Sequence, residues 1–144
     1  MRLVKVDQCY DDARLLWQLM LERPETANIA HKAMPTWDQH VQFVLSEPYE
    51  AWYLITTADT AGVVLGTIYL TRNDEIGLHL FRQFQRSGFG QLAMHELMKI
   101  HPRLRYLANI APGNGPSQSF FAKQGFRLCQ LTYELCDARS SSQS

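Results

Sequence analysis

Three short stretches of this chain carry residues whose types and spacing could do chemistry. In "EIGLHLF" (75–81), strand alternation puts Glu75, Gly77 and His79 on one face and Ile76, Leu78 and Leu80 on the other. A carboxylate and an imidazole two residues apart, with a glycine clearing space between them, form a candidate general-base pair, since histidine titrates near neutrality and burial raises a glutamate. In "QRSGFG" (85–90), Gly88 and Gly90 stand at the mouth of a helix, where each costs up to ~1 kcal/mol relative to alanine. The first N–H groups of a helix lack intrahelical partners and carry partial positive charge, so a bare backbone there suits a phosphate. Arg86 adds a full charge. The competing reading is that the glycines only let a strand and a helix pack closely.

Two other phosphate-binding patterns fit poorly. A nucleoside triphosphate loop needs a lysine after its second glycine, and none is present. "GFGQLA" satisfies the dinucleotide spacing, but no acidic residue ends the next predicted strand. The third stretch, "NGPSQSFFAKQGF" (114–126), decides between the remaining options. With "QRSGFG" it resembles the two motifs of the Gcn5-related N-acetyltransferase (GNAT) superfamily, the match running through Asn114, Ser117, Phe120, Phe121, Lys123, Gly125 and Phe126.

That resemblance implies an acetyl-CoA-dependent N-acetyltransferase in which an amine attacks the thioester directly. It assigns the pyrophosphate to Gln85, Arg86, Ser87, Gly88, Phe89 and Gly90, and the pantetheine arm to the backbone of Leu78 to Leu80 and to Asn114. Ser117 falls near the sulfur. An N–H close to Leu80 faces the developing oxyanion, a type of contact worth roughly 3 kcal/mol. The family often has a tyrosine where this chain has Phe121, which cannot protonate the departing thiolate; Ser117, Tyr133 or water is left to do so. The acceptor amine is expected to be a small molecule. The alternatives are a macromolecular amine, or an acyl-CoA-binding module without catalysis, which Phe121 favours. Glu75, His79 and Ser117 are the catalytic candidates; His31 and His40 rank lower, and His95 and His101 read as surface residues. "NIAHKAMPTW" is expected to shape the acceptor pocket, and no metal is called for.

The elements that must position these groups follow from periodicity. "RLVKV" reads as a strand, and "DDARLLWQLMLER" as a helix capped by Asp7. Thr36 and Gln39 form a capping-box pattern before a second helix. "AWYLITT" and "VVLGTIYLTR" make a hairpin, and Asn73–Asp74 turns into "EIGLHLF". The glycine helix buries Phe89, Ala93, Leu97 and Ile100. "LRYLANI" and "FRLCQLTYEL" complete the strands around a short helix ended by Gly125. The fold class expected is α/β (α+β), one domain over residues 1–137. It has a mixed, mostly antiparallel sheet flanked by about four helices and a polar tail at 138–144.

Fourteen basic and fourteen acidic residues cancel, so there is no basic stripe to hold nucleic acid. No apolar run reaches membrane-spanning length, and three cysteines without metal-ligand spacing suit a cytoplasmic, reducing setting. With room for barely one strand after the last helix, the open sheet edge points to a homodimer.

Overall fold

The computed structural model describes residues 1–23 and 34–137. The expected tail and His31, with most of "NIAHKAMPTW", lie outside the described residues. Strand β1 (Arg2–Lys5) leads into helix α1 (Tyr10–Glu22). Helix α2 (Trp37–Leu45) precedes three strands, β2 (Ala51–Thr56), β3 (Val64–Leu70) and β4 (Ile76–Leu80). After a single 3₁₀ turn at Arg82–Phe84 come α3 (Phe89–Ile100) and α4 (Gly115–Lys123). The four strands form one antiparallel sheet in the order β1-β2-β3-β4.

Alternation along β2 explains the layering. Ala51, Tyr53 and Ile55 face a core shared with Ala93, Met94 and Leu97 of α3 and with Phe121 of α4. Trp52 and Leu54 face the opposite way, onto Ala13, Leu16 and Leu19 of α1 and Val44 of α2. The sheet therefore lies between two helical layers.

Local signals mostly hold. Thr36 Oγ1 accepts from Gln39 N–H while the Gln39 side chain accepts from Thr36 N–H, closing the capping box. The Asn73–Asp74 turn forms, with Asp74 at φ 63°. Asp7 does not cap α1: the N-cap is Cys9, and Asp12 reaches back to the Asp7 N–H instead. In α3 the buried stripe is Gly90, Ala93, Met94 and Leu97, and Ile100 in the last turn is exposed.

Two expected strands are not formed. "LRYLANI" contributes one parallel bridge, Glu75 to Leu107, and no ladder beyond it. "FRLCQLTYEL" forms no ladder among the described residues, and its Leu128, Leu131, Tyr133 and Leu135 are exposed. The first departure has a local cause, because the chain leaves β4 immediately after the bridge. In the second, Phe126 packs on Phe121 and donates its N–H to the Phe121 carbonyl, and no ladder forms after it among the described residues.

Candidate active site

Strand β4 sorts its backbone groups by parity. Thr71 N–H donates to the Glu75 carbonyl and Phe81 N–H to the Leu65 carbonyl, each at 2.9 Å, so odd-numbered positions bond to β3. Ile76 N–H donates the other way, to the Leu107 carbonyl at 2.7 Å, and Leu107 N–H returns to Asp74 at 2.9 Å. Beyond that bridge the two chains part. The N–H and C=O of Leu78 and the N–H of Leu80 therefore point to an edge with no ladder partner among the described residues. The Leu80 carbonyl accepts from Gln85 Nε2 at 3.2 Å, which folds the loop entrance onto the strand end.

The loop continues through two left-handed residues, Arg86 at φ 63° and Gly88 at φ 86°. Ser87 Oγ ties the loop to the Phe84 carbonyl. Gly88 is the N-cap of α3 and supplies no side chain to it. The first intrahelical donor is Leu92, to the Gly88 carbonyl at 3.2 Å, so the preceding N–H groups face outward beside the exposed Arg86. Alternating left-handed residues before a helix form a concave set of N–H donors suited to an anion. The two glycines have different causes. A Cβ on Gly88 would meet nothing within 4 Å, so its requirement is conformational. A Cβ on Gly90 would press on Leu78 Cδ2 at 3.2 Å and Phe120 Cε2 at 3.3 Å, so its requirement is close packing.

Where β4 and residues 107–111 diverge, a cavity of ≈ 280 Å³ opens. Glu75, Leu78, His79, Asn114, Ser117 and Phe121 all line it. The divergence thus brings together the base candidates and the "NGPSQSFF" motif. Glu75 is held from two sides: Thr71 Oγ1 donates to Oε1 at 3.1 Å, and Asn109 Nδ2 donates to Oε2. His79 is pushed down to about 4, first by burial and then by the positive charge of Arg23. It is therefore neutral at pH 7. Asn114 is the N-cap of α4, its Oδ1 accepting from Ser117 N–H at 3.3 Å, and this leaves its amide N–H groups for the cavity.

Other candidates separate from this group. His40 is buried against Trp17 and Trp37 with Nε2 2.7 Å from the Ala13 carbonyl, a core contact. His95 is exposed, as expected, but His101 is not a free surface residue: its Nε2 lies 2.7 Å from the Tyr53 hydroxyl. Tyr133 is 87% exposed and does not line the cavity. An exposed phenol away from the cavity lining is no proton donor to this site.

Arg23, Tyr49, Tyr69 and Asn109 are among the lining residues that sequence reasoning missed. Tyr49 and Tyr69 stack with ring centroids 3.9 Å apart and planes 3° from parallel. Burial raises both phenols, and Tyr49 is raised further by its neighbour Tyr69. Tyr69 sits directly across the ladder from Gly77, and a Cβ built on Gly77 would fall inside the Tyr69 ring. Gly77 thus clears space for that ring, not for a gap between Glu75 and His79. A glycine inside a strand was the available signal that something bulky lies opposite.

The sequence matches the model of the acetyltransferase (GNAT) family over residues 13–126. No curated protein matches the sequence significantly. Among solved structures, the chain resembles an acetyltransferase from Thermus thermophilus, with TM-score 0.67 and 21% identity, covering 88% of this chain and 86% of that one. It also resembles a spermidine N-acetyltransferase chimera, SpeG from Vibrio cholerae with hSSAT, at TM-score 0.66 and 12% identity, covering 88% and 82%. An acetyltransferase of Trypanosoma brucei aligns at TM-score 0.54 and 12% identity, covering 94% and 96%.

Proposed function

The chain belongs to the acetyltransferase (GNAT) family, and we propose that it moves an acetyl group from acetyl-CoA to a primary amine of a small molecule by direct attack. The observation that carries this reading is the open edge of β4, which continues toward a donor-rich helix mouth at one end and a cavity at the other. Residues Gln85 to Gly90 include no acidic side chain, and the outward N–H groups of α3 with Arg86 fit a pyrophosphate. The Leu78 backbone and the Asn114 amide suit the amide-rich pantetheine arm. The Leu80 N–H faces the thioester oxygen as it gains charge. One C–N bond forms and one C–S bond breaks. The nitrogen loses a proton and the sulfur gains one.

The proton relations favour an acceptor that needs little help. A base whose conjugate acid sits at about 4 takes a proton poorly, which demotes His79. Glu75 already holds a donor on each oxygen, and in this reading it orients the amine as much as it deprotonates it. An amine of pKa 10.4 is about 0.04% neutral at pH 7, against roughly 14% for one of pKa 7.8. The preferred acceptor is therefore a low-pKa primary amine. On the sulfur side, a thiol of pKa near ~8.5 is a tolerable leaving group without a tyrosine at position 121.

Free-thiol release from acetyl-CoA against an amine panel tests the reading. The pH–rate profile should follow the titration of the amine, and Glu75→Ala or His79→Ala should cost less than ~10²-fold. Best turnover with polyamines or lysine side chains would reject the low-pKa acceptor. Acetyl-CoA binding without release for any amine would favour the binding module.

The exposed Leu128, Leu131, Tyr133 and Leu135 support a second copy completing the sheet edge. The three exposed, unbridged cysteines are compatible with the reducing cytoplasm expected from the sequence. Sedimentation of the protein against a variant with Leu128, Leu131 and Leu135 changed to serine checks the dimer; a monomeric parent chain would reject it.

A further inference from the structure

Glu75, Gly77 and His79 follow one another along the cavity face of the strand, and the middle position has no side chain of its own. The Tyr69 phenol fills that place from β3. It stands opposite Gly77 in the register, and a Cβ on Gly77 would fall on its Cζ and its hydroxyl oxygen. The face therefore presents a carboxylate, a phenol hydroxyl and an imidazole in one row. The Tyr69 and His79 ring centroids are 6.4 Å apart, and the Glu75 charge is felt at the phenol on the other side. Burial keeps Tyr69 protonated, and it accepts a side-chain hydrogen bond from Tyr49, so it has its own proton to give. Glu75 takes its protein hydrogen bonds from Thr71 and Asn109 instead. His79, neutral at pH 7, has one nitrogen that donates and one that accepts.

We infer that the acceptor is a vicinal amino alcohol, its nitrogen toward Glu75 and its hydroxyl between Tyr69 and His79, and that Tyr69 is the residue that selects it. The inference rests on the transfer reading only in calling the ligand an acceptor. Positions two apart on a strand are separated by ~7 Å. One hydrogen bond of ~2.8 Å at each end of an adjacent nitrogen and oxygen covers that span. A hydroxyl both accepts and donates, so it answers the phenol proton and the accepting imidazole nitrogen together. A carbonyl answers only the first, and a methyl group in its place leaves both unanswered. A second ammonium would meet a neutral phenol and a neutral ring, which offer it no counter-charge. A hydroxyl on the adjacent carbon also withdraws electrons from the amine and lowers its pKa, in keeping with the acceptor proposed above.

Matched pairs test this with the full chain: 2-aminocyclohexanol, as separate cis and trans isomers, against cyclohexylamine, and 2-aminoethanol against propylamine. Glycinamide serves as the carbonyl comparator and spermidine as the polycation. Calorimetry is read without acetyl-CoA, and kcat/KM, referred to the neutral amine, with it. At least one amino alcohol should exceed its deoxy partner about tenfold or more in both readouts, and should exceed glycinamide and spermidine. Tyr69→Phe keeps the ring and removes only the hydroxyl, and should shrink that ratio to under about threefold. Any residual difference in amine basicity cancels when the two ratios are compared. Equal or better performance of both deoxy partners, of glycinamide or of spermidine with the parent protein overturns the inference, whether or not the variant folds. So does an unchanged ratio in folded Tyr69→Phe, or the absence of binding and turnover for every probe. Selective binding of an amino alcohol without thiol release upholds the inference and rejects transfer alone.

Discussion

The two ends of the diverging strands are built from different materials. At the helix mouth the groups available to a ligand are mostly backbone: the outward edge of β4, the left-handed Arg86 and Gly88, and the free N–H groups of α3. In the cavity they are side chains drawn from distant segments: Arg23 after α1, Tyr49 before β2, Tyr69 on β3, Glu75 and His79 by β4, and Asn109 beyond it. A backbone site recognises what its ligands share, and its demands fall on conformation. A side-chain site recognises what differs between ligands, and its demands fall on packing and charge. One end suits a constant acyl donor and the other a particular acceptor.

Separate lesions should break the two ends separately. The largest effect is expected from Gly77→Ala, whose new methyl displaces the Tyr69 ring and with it the stack on Tyr49. Amine turnover should fall about 10²-fold, as small misplacements near reacting groups do. The melting temperature should fall by the equivalent of ~1–3 kcal/mol of overpacking. Acetyl-CoA affinity measured by calorimetry should stay within about threefold, and an equal loss there would show that the two ends are not independent. The reciprocal lesion is Gly88→Val, where space is open but φ is 86°. Forcing a β-branched residue out of the left-handed region should weaken acetyl-CoA binding by about tenfold or more. Gly90→Val is the poorer test, because its side chain would strike Leu78 and Phe120.

The next effect is one of pH on the acceptor end alone. His79 stands at about 4 in the folded chain against an ordinary 6.5. Between those values the unfolded chain binds more protons than the folded one, so stability rises with pH through that window and is lost as pH falls from about 6.5 toward 4. His79→Gln should flatten that slope in denaturant melts at several pH values. The smallest effect is expected from Phe121→Tyr, in which a phenol is added to a buried residue lining the cavity. With a tolerable leaving group, the gain in turnover should be less than about fivefold. A hundredfold gain would mean that the natural site lacks an acid it needs.

The contrast also explains what could be read from the chain. Backbone sites leave their mark in sequence because only certain residues permit the conformation: Gly88 is legible because of its φ, and "NGPSQSFF" because Asn114 must cap α4. The β2-β3-β4 meander and the capping box are legible for the same local reasons. Arg23, Tyr49 and Asn109 were not, since each is ordinary in its own segment and meets the others only through the tertiary fold. Gly77 was visible but misread, because its reason lies across the ladder on Tyr69. "LRYLANI" and "FRLCQLTYEL" show the reverse failure. Their alternation suits a strand, but a strand needs a neighbour, and alternation says nothing about whether one is present.

The parity of β4 has a consequence for how this chain can change over generations. Its odd positions give backbone groups to β3 while Gly77 and His79 face the cavity, whereas the even positions give side chains to the α3 core and backbone to the open edge. A single codon inserted or deleted between Ile76 and Leu80 would exchange those assignments for every residue on one side of the lesion. Leucine side chains would enter the polar chamber, a histidine would enter the core, and the outward N–H groups would turn inward together. Substitutions in this stretch can be graded; length changes cannot. The Asp59–Gly62 turn, exposed and held by local bonds to Asp59, carries no such double duty and is where length polymorphism should accumulate.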